Sequence, residues 1–447
     1  MGSDSERRGV RVGRVRPAPE NFVERGEKPH ANRARRGFMA GAMALGAGAV
    51  GSAAARAAGG EDAILKLPEH GTSLGQPVAA RGYGQPSRYE RGLQRRESPG
   101  LTRVPASSVS FAPLQGFFGI ITPNGLHFER HHQGWWDIDP AGHRLMVNGL
   151  VREARVFTMD DLQRLPSVSR IHFIECSANT GMEWGRVAVP TVQYSHGMLS
   201  CCEFTGAKLS TLLDMCGVDP KQGRYVLAEG ADGSSMTRTI AIERALDDVL
   251  VAWGMNGEML RPENGYPLRL VVPGVQGVSW VKYLRRLEVG DTPYYAKDEV
   301  LQYVDLMPDG MHRQFTSIQE CKSVITSPSG GQVLLDRGYY NVTGLAWSGR
   351  GKIMRVDVST DGGRNWRSAR LEPPVLPKAL TRFNFDWVWD GGPAILQSRA
   401  IDQTGYVQPK LNQLREVRGT RSVYHNNAIQ SWKVAAETGE VSNVHVY

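Results

Sequence analysis

Paired cysteines are what this sequence most obviously lacks. Its five cysteines, Cys176, Cys201, Cys202, Cys216 and Cys321, are odd in number and form no CxxC, so the spacings that hold zinc or an iron–sulfur cluster are missing. There is no CxxCH, which excludes covalent attachment of haem to this chain. A site with a single thiolate ligand stays open. Long apolar runs are scarce too. The Ala- and Gly-rich run after Phe38 is short and broken by Arg56, a poor match to the roughly 20 residues of a membrane-spanning helix. The formal net charge is +8, but residues 1–58 carry eleven Lys or Arg against five Asp or Glu. Elsewhere basic and acidic residues are interspersed, which argues against a nucleic-acid partner. No internal repeat occurs, and the regular strand–helix rhythm of a doubly wound sheet is absent.

What is present begins with a leader. The stretch RARRGFMAGAMALGAGAVGSAAARAAGG (33–60) pairs Arg35 with Arg36, places Phe38 two residues on, and offers small residues around Ala53, Ala55 and Ala57 for cleavage. It reads as a twin-arginine export signal over residues 1–58 and predicts a periplasmic protein with no membrane span. That route carries proteins already folded, often around a cofactor. The residues ahead of the arginines read as disordered, and residues 59–110 as an extended arm. The length, 447 residues, allows two or three domains. From 111 to 318 the pattern is α+β: LSTLLDMCG (209–217) predicts a helix ending at Gly217, and YPLRLVVPGVQG (266–277) a buried strand closed by Pro and Gly. From 319 to 447 short β-prone runs are cut by SG, DGG and GG turns, the texture of an all-β, immunoglobulin-like sandwich.

Three clusters carry chemistry. In HFIECSANTGMEW (172–184) an apolar strand ends at Cys176 and a turn follows at SANTG, because Ser, Asn and Gly suit a tight reversal. The thiol is readable as a buried core cysteine, as a nucleophile with His172, His196 or His132 as base, or as a thiolate ligand to a soft metal. In HFERHHQGWWDIDP (127–140) Arg130 stands beside His131 and His132, with Trp135 and Trp136 behind. This is a solvated loop or an anion clamp, since guanidinium offers a fixed fork of donors to oxyanions. In NGYPLR (264–269) and WVK (280–282), Asn264, Arg269 and Lys282 suit either a buried ion pair or the phosphate tail of a cofactor.

Taken in order, IECSANTGMEW, FERHH, AWGMNGEMLRPENGYPLRLVVPGVQGVSWVKYLRRLEV and VDVSTDGGRNW resemble the landmarks of the sulfite oxidase family of molybdoenzymes. The resemblance runs from about Phe111 to Trp432. MPDGMHRQFTSIQECKSVITSPSGG and YHNNAIQSW point within that family to the molybdenum subunits of sulfane dehydrogenases. It implies a molybdopterin domain over 111–318, a dimerising sandwich over 319–447, and a molybdenum–molybdopterin cofactor whose one protein ligand is Cys176. It further implies that Arg130 faces substrate and cofactor, with Trp184, Trp253 and Arg418 also at the reacting centre. Phe128, His131, His132, Thr205, Asn264, Arg269, Trp280, Val281 and Lys282 would hold the pterin and its phosphate.

Two departures bear on the substrate. Family sulfite oxidases have an arginine just after the ligand loop, where this chain has Thr180 and Gly181, and Trp253 stands where many members have a tyrosine. The implied activity is oxygen-atom transfer to sulfur, either sulfite or a protein-carried sulfane sulfur, with electrons leaving to a c-type, dihaem cytochrome subunit. The implied assembly is a homodimer within that heterocomplex. The competing expectations are a sulfoxide-type reductase and a cofactor-free binding or assembly subunit.

Overall fold

The strand leading to Cys176, Ser167–Glu175, changes character along its length. Its first residues are mostly exposed, while its last four, His172, Phe173, Ile174 and Glu175, are all buried. A strand that enters a core covered on both faces loses the in–out alternation of a half-buried one. In the computed structural model this strand pairs antiparallel with Leu199–Lys208, from Ser167 opposite Ala207 to Glu175 opposite Leu199. The structure describes residues 11–18, 85–99 except 91, and 106–446 except 186–187, 233, 235, 302, 315–317 and 420–423. The paired arginines of the expected export signal lie outside the described residues.

Two sheets frame the site-bearing half. In one, Leu199–Lys208 lies between Ser167–Glu175 and Leu250–Met255, and the short strands Glu258–Met259 and Arg269–Val271 both pair with Leu250–Met255. The register shifts between Ala252 and Gly254, a bulge that leaves Trp253 without a partner on Leu199–Lys208 and bends the strand. In the other sheet the order is Thr237–Ala241, Tyr225–Gly230, Leu284–Gly290, Arg144–Gly149, Arg155–Thr158. The Leu284–Gly290 and Arg144–Gly149 strands pair parallel, and the other contacts are antiparallel.

The helices are short and locally specified. Met159–Gln163 starts at a capping box formed by Thr158 and Asp161, which satisfies orphan amides at its first turn. Leu209–Cys216 buries Leu209, Leu212, Leu213 and Cys216 and stops at Gly217, φ 68°, as its sequence predicts. The strand expected over 266–277 is only Arg269–Val271. Gly274 ends the run, with φ 79° and so little room that a Cβ there would lie 2.4 Å from the Gly349 carbonyl oxygen.

The C-terminal part is the predicted antiparallel sandwich. One sheet runs Lys322–Ser327, Gly338–Trp347, Thr381–Trp389, Arg370–Glu372; the other runs Arg367–Ser368, Ile353–Ser359, Ala394–Asp402, Ser431–Val434, Val441–Val444. Trp347, Phe383, Leu396 and Trp432 are fully buried, and the Trp432 indole N–H donates to the Ile325 carbonyl at 3.0 Å, tying one sheet to the other.

One expectation fails at the N-terminus. Residues 11–18 are not disordered but form an added strand on the sandwich. Val15 and Arg16 pair with Leu334 and Val333, Val12 bridges Tyr339, and Arg14 grips Asp336 through Nε at 2.8 Å and Nη2 at 3.0 Å. Alternating valine and arginine in VRVGRVR is a strand pattern that a composition-based reading of a basic tail passes over. Together with the described residues from 94 onward, this segment belongs to one compact unit.

Candidate active site

A solvent-open cavity of about 790 Å³, mouth included, is lined by residues from separate stretches of the chain: 127–134, Ile174 and Cys176, 263–269, 277–282, and Met236 and Tyr303. Cys176 leaves the strand end with its amide donating to the Met198 carbonyl at 3.0 Å, while its own carbonyl accepts from Asn179 at 2.9 Å to close the turn. Burial pushes the thiol up, against the Ala178 amide and the Arg130 charge, which pull it down. Free, it is therefore a thiol at neutral pH and a poor nucleophile. A metal would take it as thiolate, because coordination displaces the proton. Two of the three candidate bases are engaged elsewhere: His172 donates to the Lys378 carbonyl at 3.3 Å, and His196 pairs with Ser195 at 2.8 Å. His132 lines the cavity.

The turn after Cys176 is held from the sandwich. Lys322 donates to Glu175 Oε1 at 2.9 Å and to the Thr180 hydroxyl at 3.0 Å, and the Trp347 indole donates to Glu175 Oε2 at 2.8 Å. Asn179 adds a bond to Glu175 at 3.0 Å. Thr180, with φ 62°, spends its own proton on the Asn426 carbonyl at 2.8 Å. Thr180 is thus part of an internal lock.

Another part of the wall is cationic and largely buried. Lys282 donates to His131 Nδ1 at 2.9 Å and to the Glu263 carbonyl at 3.2 Å; His131 Nε2 donates to Glu129 at 2.8 Å, and Glu129 pairs with Arg95. This chain fixes the His131 tautomer. Burial, then the Arg269 charge, lowers Lys282 to about 7, and burial with Lys282 lowers His131 to about 3. Gly265, φ 104°, lets backbone pack on Lys282, where a Cβ would lie 2.9 Å from the lysine Cβ. Arg269 donates to the carbonyls of Asn264 at 2.9 Å and Trp280 at 3.3 Å, and burial lowers it to about 10.

Three buried polar atoms on this wall have no partner among the described residues: Arg269 Nε, Asn264 Oδ1 and His127 Nε2. Enclosed polar atoms without partners are rare in folded proteins. Donors and an acceptor beside a lysine fit a large group that carries both ring nitrogens and a phosphate, and the molybdopterin cofactor is such a group.

The structure gathers most of the expected residues here: Cys176, Phe128, Arg130, His131, His132, Asn264, Arg269, Trp280, Val281 and Lys282 all line the cavity. Four stand outside its lining. Thr205 shares its hydroxyl with Ser169 at 2.7 Å. Trp253 is buried in the core at the bulge. Trp184 packs with Leu411 and Leu414 and donates to the Tyr424 carbonyl at 3.3 Å. Arg418 faces Asp305 at 3.6 Å. Tyr303, Glu263, Asp232 and Met236 line the cavity without having been singled out, because each comes from a loop or, for Glu263, a short helical turn whose place depends on tertiary structure.

Comparison with known proteins agrees with this geometry. The family described as oxidoreductase molybdopterin binding domain matches residues 132–297, and the Mo-co oxidoreductase dimerisation domain matches 313–432. Mitochondrial sulfite oxidase of Mus musculus is 34% identical over 274 residues, covering 57% of this chain and 50% of the mouse protein. That of Drosophila melanogaster is 30% identical, over 68% of this chain and 58% of the fly protein. The chain thus spans about half the length of these curated relatives. The crystal structure of the sulfane dehydrogenase SoxCD from Paracoccus pantotrophus superposes with a TM-score of 0.83 at 48% identity, over 86% of this chain and 98% of that one. The fold, the cofactor that these domains imply and the cavity agree: this chain belongs to the sulfite oxidase family of molybdopterin oxidoreductases.

Proposed function

We propose that this chain is the molybdenum-cofactor subunit of a periplasmic sulfur-oxidising complex, exported by the twin-arginine route and passing electrons to a c-type cytochrome. One observation carries the reading: a single thiol and a set of cations and partnerless polar atoms converge on one cavity. When bound, the cofactor supplies two-electron oxygen-atom transfer to sulfur. Cys176 is its protein ligand; Arg269, Lys282 and Asn264 hold its phosphate end; Phe128, His131, His132, Trp280 and Val281 enclose its ring. Arg130 holds negative charge that develops on the sulfur group, an effect that strengthens where water is excluded.

A protein-carried sulfane sulfur is the preferred substrate over free sulfite. Thr180 brings no charge to the place where sulfite oxidases have a cation, and its hydroxyl is consumed internally. Trp135 and Trp136 stand exposed just beyond Gly134, which lines the cavity, and exposed tryptophans suit a protein partner. The sandwich is the homodimer surface.

The test is purification from the periplasm with whatever co-purifies, followed by metal, pterin and haem analysis. Molybdenum and pterin in the chain and haem only in a partner are expected. Cytochrome c should be reduced faster with a persulfide-bearing carrier protein than with sulfite. Protein without molybdenum and pterin would sink the reading.

A further inference from the structure

Buried cations in this chain fall into two kinds. Arg382 shows the structural kind, spending Nε on the Gly119 carbonyl at 2.8 Å, Nη2 on the Phe117 carbonyl at 2.8 Å and Nη1 on Thr343 at 3.3 Å. Arg238 is different. It lies in Thr237–Ala241 on the same inward face as Ile240, is 1% exposed, and its side chain makes a single hydrogen bond among the described residues, from Nη1 to the Thr237 carbonyl at 2.6 Å. Its Nε and Nη2 are enclosed with no acceptor, and no carboxylate among the described residues pairs with it.

Its surroundings belong to the Cys176 cavity. The guanidinium carbon sits 4.6 Å from the centre of the Tyr303 ring, and Tyr303 lines that cavity with Cys176. Tyr303 in turn stacks on Tyr424, centroids 4.7 Å apart and planes 22° from parallel. His132, another lining residue, is held neutral first by burial and then by the charges of Arg130 and Arg238. Arg238 therefore stands one layer behind the wall, with two donors unspent.

We propose that Arg238 is a second oxyanion-binding guanidinium of this cavity, engaging with Arg130 the charged oxygens of a sulfur oxyanion when the Tyr303 ring turns aside. An enclosed, unpaired guanidinium is unfavourable unless an anion completes it, and its Nε–Nη2 edge is the face that grips tetrahedral or planar oxyanions. The proposal rests on the reading that this cavity takes sulfur groups, and concerns which residues hold their negative charge.

The experiment uses the holoenzyme with its co-purifying partner and inorganic sulfate as probe. Isothermal titration gives the sulfate dissociation constant for wild type, Arg238→Lys and Arg238→Met, beside molybdenum content and thermal midpoint. Arg238→Met should weaken sulfate binding at least about tenfold, with molybdenum content kept and the midpoint unchanged or raised; Arg238→Lys should recover most of the affinity. Tyr303→Ala, which removes the ring from the guanidinium, should tighten sulfate. An unchanged sulfate constant in Arg238→Met, or a Tyr303→Ala variant that does not bind sulfate more tightly, overturns the proposal. Wild-type enzyme that contains molybdenum yet is reduced by no sulfur compound overturns the proposed function instead, and leaves the sulfate result to stand.

Discussion

The sandwich and the cavity treat buried charge in opposite ways. In the sandwich, Lys322 is fully enclosed and pairs with Glu175 at 2.9 Å, and Arg382 gives three of its donors to internal acceptors. Around the cavity, Arg269 and Arg238 keep donors in reserve, and Lys282 is pressed by burial and by Arg269 to about 7. Charge that is satisfied internally fixes one part of a fold against another. Charge left incomplete beside a cavity is free to meet a ligand. Position in the fold, rather than residue type, separates a lysine that holds a loop from one that faces a cavity.

Cys176→Ser is expected to break the comparison most severely on the cavity side. The chain should fold and lose turnover, because a hydroxyl is a harder and less donating ligand than a thiolate; steady-state cytochrome reduction with circular dichroism as folding control is the check. A fully active Ser variant removes Cys176 from the metal.

Next in size is Lys322→Met on the sandwich side. It leaves Glu175 buried without its cation, at a cost of about 3–5 kcal/mol, read as a shift in the urea midpoint. Adding Glu175→Gln should restore much of that loss, since the uncompensated charge goes too. If the single variant is as stable as wild type, the lysine is not the lock described here.

The smallest effect sharpens the contrast through pH. His127, His131 and His132 are each held neutral down to about 3, chiefly by burial and then by neighbouring cations. The unfolded chain takes up protons near pH 6.5 that the folded cavity refuses, so stability is full above that pH and is lost as pH falls towards 3. In cofactor-free protein, His131→Gln should flatten this slope by about one proton, measured by urea unfolding at several pH values. An unchanged slope means that His131 titrates normally.

Much of this was legible in the chain itself. Strand, turn and thiol around Cys176, the helix stop at Gly217, and the change from α+β to all-β texture all follow from local chemistry. The cavity was legible where resemblance and residue type agreed, as at Arg130, Asn264, Arg269 and Lys282. It was not where reach into the cavity depends on tertiary placement: Thr205 turns to a neighbouring strand, Trp184 to a small cluster with Leu411 and Leu414, and Arg418 to Asp305. Tyr303 gave no signal in sequence. Arg238 gave a faint one, since in TRTIA it shares strand parity with Ile240, which places a charge on an apolar face.

The strand at residues 11–18 lies upstream of Arg35 and Arg36, so any cut made after those arginines takes it away. Gly338 is shaped to its approach, with so little clearance that a Cβ would lie 2.0 Å from the Arg11 carbonyl oxygen. An uncut polypeptide therefore shelters Val333 and Leu334 beneath its own beginning, and a trimmed one lays that edge bare. Slow or fast amide exchange at Leu335, whose N–H donates to the Arg14 carbonyl at 2.9 Å, would tell a polypeptide that keeps this strand from one that has lost it.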